Sequence, residues 1–371
     1  MSSIYSRKLQ HLEIVASKDV DFTGKCSEYF NDIILIHQAI PGFRIDEVDT
    51  RFPFLGYELK APLMITGITG GAKETLEINR KLAQLAAQHG IALGLGSQRP
   101  ILTSNFDQDV LKTYRVAREV AGSVPLIGNI GFNTLKTTSI QDIKHLIDAV
   151  GVDALAVHLN PAQEVIQPEG DTDFSDDIIY RLRDLVKEAG VPVLVKEVGN
   201  GLSYEVVKRL SSEAGIRIFD VAGACGTSWV KVEMYRNTSD SIKKNIAQLL
   251  GDWGIPTPIS IIEARLASRE STIIASGGVW DGLRAVKSLA LGADMAGFAK
   301  PVLIKLLSEG YEAASKYVEE YVESLKTVMF LIGARSLGDV KKKPVVLGGS
   351  IKSYMSSRGF DTDKYLEMLK K

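Results

Sequence analysis

Cysteine is scarce in this chain of 371 residues: Cys26 and Cys225 are its two cysteines, and neither belongs to a C-x-x-C motif. This usage argues against a structural zinc site and against the disulfide framework of small secreted domains, and it fits a reducing compartment. We therefore expect Cys225 to be a small buried apolar residue with a free thiol.

Long apolar runs and an excess of charge of one sign are also missing. No run approaches the ~20 residues that a membrane helix needs, and the N-terminal sequence lacks the apolar core of a signal peptide. The 44 Lys and Arg residues balance 45 Asp and Glu residues, which gives a net charge of −1. This balance argues against nucleic acid or an anionic membrane as a partner. We expect a soluble, cytoplasmic protein.

Short apolar runs are what the sequence has in abundance. Each run ends in glycine or polar residues, as expected of parallel strands buried on both faces, and an amphipathic segment follows it. The eight runs are 62–71, 92–98, 125–132, 154–160, 192–201, 216–228, 272–279 and 294–302.

The segments between the runs have helical periodicity. One spans 73–89 and ends at Gly90, another begins at a cap formed by Ser139 and Asp142, and a third follows Ser175. Eight strand and helix units over about 240 residues predict an α/β fold of the (β/α)8 TIM-barrel type. The competing layout, a doubly wound open sheet, usually has fewer strands and one glycine-rich turn after its first strand.

Three segments lie outside the repeat. Residues 1–60 form an N-terminal extension that we expect to contribute to the substrate site. Residues 61–335 form the barrel, and residues 229–257 are inserted after its sixth strand as a lid or wall over the site. Residues 303–371 hold one clear helix, 311–333, and residues 336–371 form a polar C-terminal tail.

Glycine-rich loops after the seventh and eighth strands, SGGVWDG and GFAKP, are the strongest signal for a ligand. Loops at these places in a barrel commonly hold a phosphate with backbone N–H groups and a helix N-terminus. Lys196 ends the fifth strand inside the barrel, where a cation beside a flavin ring would stabilise its anionic reduced form. FMN fits better than a dinucleotide. The first glycine run is not followed, at the usual spacing, by the acidic residue that binds the ribose of a dinucleotide. Glu197 is a simpler candidate partner for Lys196.

The stretch HLNPAQE after the fourth strand carries amides and one carboxylate. Glu164 is suited to hold one Mg²⁺ that also binds substrate phosphates. Arg99 is suited to grip phosphate or carboxylate, although a surface ion pair is as probable for that residue taken alone. His158 taken alone is more typical of a satisfied core histidine.

The motifs TGITGG, GSQRP, HLNPAQE, KEVGNG, GTSW, WGIPT, SGG and FAKP, in this order, resemble the type 2 isopentenyl-diphosphate isomerases. The resemblance covers nearly the whole chain. It implies isomerisation of isopentenyl diphosphate to dimethylallyl diphosphate without net redox change, in isoprenoid biosynthesis. It also implies reduced FMN, Mg²⁺, NADPH as the reductant, and a homo-oligomer (tetramer or octamer).

The resemblance assigns roles to individual residues. It implies FMN contacts at Thr66, Gly67, Ile68, Thr69, Ser97, Asn129, Lys196, Thr227, Gly277, Gly278, Ala299 and Lys300. It implies substrate contacts at Arg7, Lys8, His11, Ser97, Gln98, Arg99, His158, Asn160 and Gln163. Lys196, His158 and Gln163 are the implied catalytic residues, and Glu164 is the implied metal ligand.

Two departures from the family pattern and three rival functions remain. Cys225 stands where many members have glycine, and Ala222 where they have serine.

A 2-hydroxy-acid oxidase would place a histidine near strands six and seven, where this sequence has none. An inosinate-dehydrogenase-like enzyme would use Cys225 as nucleophile. A phosphate-binding barrel without catalytic activity is the third rival.

Overall fold

The computed structural model describes residues 2–237 and 240–370, so residues 1 and 371 of the predicted terminal segments and residues 238–239 of the predicted insertion lie outside them. The strands are β1 (Ile33–Leu35), β2 (Phe52–Phe54), β3 (Tyr57–Leu59), β4 (Leu63–Ile65), β5 (Ala92–Gly94), β6 (Leu126–Gly131), β7 (Ala154–His158), β8 (Val193–Lys196), β9 (Ile218–Asp220), β10 (Thr272–Ala275), β11 (Met295–Phe298) and β12 (Val345–Leu347).

The helices surround and extend this set of strands. They are α1 (Ser2–Ser17), α2 (Lys25–Asn31), α3 (Thr75–His89), α4 (Arg99–Thr103), α5 (Gln108–Val120), α6 (Phe132–Thr137), α7 (Ile140–Val150), α8 (Pro161–Ile166), α9 (Asp177–Glu188), α10 (Tyr204–Glu213), α11 (Trp229–Arg236), α12 (Ser241–Leu250), α13 (Thr257–Ala267), α14 (Gly282–Ala290), α15 (Lys300–Ser308), α16 (Tyr311–Leu331), α17 (Leu337–Val340), α18 (Gly349–Ser357) and α19 (Thr362–Leu369), with a 3₁₀ turn at Ile45–Glu47. Among the described residues, none of these helices is long and apolar enough to cross a membrane.

Strands β4 to β11 form a closed parallel barrel, in which β11 pairs with β4. All eight predicted runs contain one of these strands, and the (β/α)8 prediction is confirmed. The open doubly wound sheet is excluded, because the barrel has no edge strand. Helix boundaries follow the local signals: Gly90 ends α3 with φ of 62°, and the Ser139 hydroxyl accepts from the Asp142 N–H at the start of α7. Helix α9, which begins at Asp177, follows Ser175 as predicted.

The barrel interior is apolar at one end and polar at the other. Met64, Ile127, Leu194 and Met295 pack together near the amino ends of the strands. Phe54 and Leu59 of the β2–β3 hairpin belong to the same cluster, so the hairpin closes this end of the barrel. Polar chemistry is therefore confined to the carboxyl ends of the strands, as in other barrels of this class.

The terminal segments are more ordered than their sequence indicates. The N-terminal extension contains α1, which packs against α11 of the insertion and against α15. The tail contains α17, α18 and α19, and its β12 pairs antiparallel with β1 through Ile33 and Leu347. The predicted helix at 311–333 is α16, whereas the sequence did not indicate α17, α18 and α19, which form through contacts with distant parts of the chain such as those of α17 with α14 and of α18 with α2.

Cys26 of α2 and Cys225 of the loop after β9 form a disulfide with a Cα–Cα distance of 5.1 Å. The expectation of a free thiol at Cys225 was therefore wrong, and the cysteine count no longer supports a reducing compartment. The same bond removes the nucleophile that the inosinate-dehydrogenase-like alternative needs. It joins the segment that follows α1 to a loop at the carboxyl end of the barrel.

Opening this disulfide should lower thermal stability. The bond closes a loop with a sequence separation of 199 residues, for which the loop-entropy model gives an upper limit of about 5 kcal/mol. We expect the reductant to lower the Tm of the wild type by several degrees and to leave the Tm of Cys26→Ser unchanged, as measured by differential scanning calorimetry. Two titratable thiols in the unreduced wild type, together with identical Tm values, would contradict this prediction.

Candidate active site

Three neighbouring strands end in polar residues that face the barrel interior. His158 of β7, Lys196 of β8 and Asp220 of β9 are paired in register, so their side chains lie side by side at one level. Asn129 of β6 and Ser276 after β10 continue this polar layer on either side. The sequence therefore places one histidine and one cation in the wall of the cavity at the open end, with the fully buried Asp220 carboxylate beside them and outside the wall.

His158 is neutral and has a defined tautomer. The Asn129 amide donates to the Leu95 carbonyl oxygen at 3.1 Å, so its oxygen accepts from His158 Nδ1 at 2.9 Å. Burial, followed by the charges of Lys196 and nearby cations, lowers the pKa of His158 to about 3. Nε2 is consequently an acceptor, and His158 does not add a positive charge to the site.

Lys196 donates from Nζ to the backbone oxygen of Glu197 at 2.6 Å. The Glu197 carboxylate instead accepts from the backbone N–H groups of Val198 and Gly199, each at 2.7 Å, and of Asn200. Burial raises the pKa of Glu197 to about 7, although these hydrogen bonds oppose the shift. The carboxylate of Glu197 is therefore not the ion-pair partner of Lys196.

The loop after β10 packs closely against the loop after β9, and its Gly277 and Gly278 also line the cavity. Gly277 and Gly278 have φ of 89° and 79°, and a Cβ on Gly278 would lie 2.0 Å from the Cys225 carbonyl oxygen. The N-terminus of α15 at Lys300 has no side-chain cap. Its free N–H groups and the Lys300 ammonium, which pairs with Asp21 at 2.8 Å, form a site suited to an anion.

A second polar basin is formed by α8. Asn160 donates to Gln163 Oε1 at 3.1 Å and to Glu164 Oε1 at 2.9 Å. The second oxygen of Glu164 accepts from the Asp171 N–H at 2.9 Å. Gln167 Nε2 also donates to this oxygen at 3.4 Å. Within the described residues the Glu164 carboxylate thus has neutral donors and no cationic side chain as partners, so its negative charge is not compensated by the protein.

Helix α1 brings cations to the same cavity. Lys8 donates to the Ser97 backbone oxygen and to the Tyr114 hydroxyl, both at 2.7 Å. Burial, and then the charge of Arg7, lower the pKa of Lys8 well below its usual range. Arg99 is exposed at the rim, and its guanidinium has no hydrogen-bond partner among the described residues. An anionic ligand would relieve the repulsion between these cations.

Relatives of known name match almost the whole chain. The isopentenyl-diphosphate delta-isomerase of Sulfurisphaera tokodaii is 41% identical over 98% of this chain and 97% of its own. That of Methanothermobacter thermautotrophicus is 43% identical over 98% of this chain and 99% of its own.

The chain belongs to the isopentenyl-diphosphate delta-isomerase family. Residues 252–347 of this family member also match the family model described as FMN-dependent dehydrogenase. Among solved structures, a putative lactate oxidase of Pediococcus acidilactici superposes with a TM-score of 0.66 over 94% of this chain and 95% of that chain. A mandelate oxidase gives a TM-score of 0.61 over 91% and 95%. Both are 15% identical in sequence, so they show the barrel fold alone.

In this isomerase-family member, a single cavity contains nearly all the predicted site residues. Its wall includes all the predicted FMN contacts, and it also includes Arg7, Lys8 and His11 of α1, Arg99, and the α8 basin of Asn160, Gln163 and Glu164. Gln98 is the exception: it is fully buried, and its side-chain oxygen accepts from the Asn129 N–H at 2.9 Å. The structure thus places Gln98 beneath the cavity, where it supports Asn129, and not in its wall.

Glu233 of the insertion supports two residues of the cavity wall, Gln163 and His11, and the sequence did not indicate it. Its side chain has no exposed surface, and its carboxylate accepts from Gln163 Nε2 at 2.8 Å and contacts His11 Nε2 at 3.0 Å. Arg236 donates to the other oxygen at 2.6 Å. Burial alone would raise the pKa of Glu233, but these partners lower that pKa below its usual range. Because the Glu233 carboxylate accepts from the side-chain N–H of Gln163, the amide of Gln163 has a fixed orientation.

Proposed function

We propose that the protein converts isopentenyl diphosphate to dimethylallyl diphosphate by a 1,3-allylic proton shift that depends on FMN and Mg²⁺. The observation that carries this proposal is one cavity in which an unpaired carboxylate, cations from α1 and Arg99, and interior Lys196 face each other. Family membership supplies the substrate class. NADPH as reductant, the cytoplasm as location and a homo-oligomeric state belong to the same proposal.

The cavity fits FMN at both ends of that molecule. Gly277, Gly278 and the uncapped N-terminus of α15 suit the phosphate. Lys196 suits the electron-rich part of the ring, and the Thr69 hydroxyl is buried without a hydrogen-bond partner within the described residues. When bound and reduced, FMN would supply an electron-rich ring able to exchange a proton and to stabilise developing positive charge.

The α8 basin fits a Mg²⁺ that is shared with the substrate. Glu164 carries an uncompensated charge, and no group of three or more metal-ligating side chains occurs within the part of the chain that the structure describes. Mg²⁺ commonly uses one or two carboxylates and completes its shell with water and substrate phosphates. A diphosphate bridging Glu164-bound Mg²⁺ and Arg7, Lys8 and Arg99 would satisfy both the metal and the cations.

The remaining residues position the substrate. Asn160 orients Gln163 and Glu164 through its two donated hydrogen bonds, and Glu233 fixes the Gln163 amide from the other side. His158 contributes an acceptor at Nε2. A proton shift needs no serine or cysteine nucleophile, which agrees with a cavity lined by amides and cations.

The decisive experiment is an anaerobic assay of isopentenyl diphosphate with protein, FMN, Mg²⁺ and NADPH in deuterated water. We expect dimethylallyl diphosphate that carries solvent deuterium, no net oxidation of NADPH beyond reduction of the flavin, and no product without FMN. Oxidation of a 2-hydroxy acid in place of isomerisation would favour the oxidoreductase alternative. A purified protein that binds no flavin after reconstitution would favour the phosphate-binding alternative without catalytic activity.

A further inference from the structure

The disulfide between Cys26 and Cys225 lies at the end of two chain segments that run side by side next to the candidate phosphate site. Residues 20–22 follow α1, and residues 226–228 follow β9. Two backbone hydrogen bonds, of 2.9 and 2.7 Å, and an antiparallel bridge join these two segments. The bond therefore fastens the segment between α1 and β1 to the loop after β9.

The loop that the bond fastens forms part of the cavity wall. Gly226 and Thr227 come directly after Cys225 and line the cavity, and Thr227 is a proposed FMN contact. The backbone of this loop touches the loop after β10, because a Cβ on Gly226 would lie 2.7 Å from the Gly278 nitrogen. A shift of the loop after β9 would therefore displace the loop that suits the phosphate.

The segment between α1 and β1 also contacts other parts of the candidate phosphate site. Asp21 pairs with Lys300 at the start of α15, at 2.8 Å. Arg284 donates to the Gly278 carbonyl oxygen at 2.7 Å, and its guanidinium lies 5.2 Å from the centre of the Phe30 ring on α2. One segment thus supports the loops after β9 and β10 and the start of α15.

The loop after β9 has a backbone conformation that needs restraint. Ala222, which lines the cavity three residues before Cys225, has φ of 37°. A residue with a Cβ adopts this left-handed conformation at a cost, and the conformation persists only where the surrounding structure holds it. The Gly201 N–H donates to the Ala222 carbonyl oxygen at 3.1 Å, and the Thr257 N–H donates to Cys225 Sγ at 3.3 Å. The covalent bond at Cys225 adds the strongest restraint on this loop.

We propose that the Cys26–Cys225 bond is a positioning crosslink that pre-organises the phosphate end of the FMN site. This inference rests on the proposed function, because it needs FMN with its phosphate beside the loops after β9 and β10. A site whose loops are already fixed loses less conformational entropy when its ligand binds. Within the described chain neither cysteine lines the cavity, so the bond acts through the backbone of the loop.

The test compares how Cys26→Ser binds FMN and riboflavin, which lacks the phosphate. The substitution removes the bond and leaves the sequence of the loop after β9 unchanged. We expect the FMN dissociation constant to rise about tenfold, because fixing the backbone of one more residue on binding costs roughly that factor. The riboflavin dissociation constant should stay within about twofold of the wild-type value, since riboflavin does not use the phosphate end of the site. Fluorescence titration of each flavin, well below the Tm, measures both constants without an assay of activity.

Three further variants separate this effect from general damage. Cys225→Ser and the double variant should show the same rise as Cys26→Ser, because the same bond is missing from all three. Asp361→Ala removes the side chain that caps α19, a described helix with no residue in the cavity wall. It should lower stability and bind both flavins as the wild type does.

Dithiothreitol tests the same bond in the unaltered chain. It transfers two electrons and two protons to the bond, so two protein thiols form and the reagent becomes a cyclic disulfide. Once thiol titration shows that the bond is open, the wild type should bind FMN as Cys26→Ser does, whereas the reagent should not change FMN binding by Cys26→Ser. This measurement also provides the test if the serine variants do not fold.

The outcomes separate the two proposals. A wild type that binds no FMN overturns the proposed function and this inference with it. If the wild type and Cys26→Ser bind FMN with the same dissociation constant, this inference alone is overturned. An equal loss of affinity for FMN and riboflavin also overturns it, because the bond would then support the barrel as a whole. So does a rise confined to Cys225→Ser, since the effect would then come from the new side chain in the loop.

Discussion

Replacing Glu164 with glutamine is expected to lower the rate of isomerisation by more than about a hundredfold and to abolish its dependence on Mg²⁺, while the purified protein stays yellow. Even residues that merely support a metal ligand cost 10–100-fold when they are lost, and Glu164 is the proposed ligand itself. The substitution is nearly isosteric, so Asn160 can still donate to the side-chain oxygen at position 164. Steady-state assays over a range of Mg²⁺ concentrations measure the effect.

The control for this prediction is Glu320→Gln, which removes a carboxylate from an exposed i,i+4 pair with Lys316 on α16. We expect wild-type activity and an unchanged Mg²⁺ dependence for this control, because exposed pairs contribute little to stability. Loss of flavin from Glu164→Gln would reassign Glu164 to the cofactor site. A variant that still responds to Mg²⁺ like the wild type would place the metal elsewhere.

The barrel could be predicted from sequence because its strands are buried on both faces. Each strand is then a short apolar run, and Gly90 and Gly151 end the helices that follow two of them. Helix α1 carries no comparable signal, because its stability comes from packing against α11 and α15, which are more than 200 residues away in the chain. Local periodicity cannot report contacts of that kind.

The site shows the same division between local and distant information. Polar residues at strand ends were recognisable, since the carboxyl ends of all eight strands meet at one face of a barrel. Glu233 was not recognisable, because its role depends on contacts with His11 and Gln163, which are 222 and 70 residues away. Asp220 did have a signal: it lies two residues after Ile218, so it is a carboxylate on the same face of the strand as an apolar residue. The disulfide had none, because the two cysteines show no motif.

Replacing Lys196 with alanine is expected to weaken FMN binding by about thirtyfold or more. Truncating one member of a buried, hydrogen-bonded charge contact typically costs 2–5 kcal/mol, and Lys196 is the one cation among the interior residues that end the described barrel strands. The charge of Lys196 lowers the pKa of His158 and opposes the rise in the pKa of Asp220. Both pKa values should therefore rise in the variant, since the buried Asp220 carboxyl group and His158 lose the positive charge that acts on them.

The flavin content of Lys196→Ala after gel filtration, read from the visible spectrum, measures this loss. Lys316→Ala is the matched control, because it removes an exposed lysine of α16 whose pair with Glu320 spans 3.9 Å. Excess FMN should restore part of the flavin content of Lys196→Ala but not its activity, since the ring would bind without the charge that stabilises its reduced anionic form. If the variant retains flavin as the wild type does and isomerises the diphosphate at the same rate, the cation inside the barrel has no part in the chemistry.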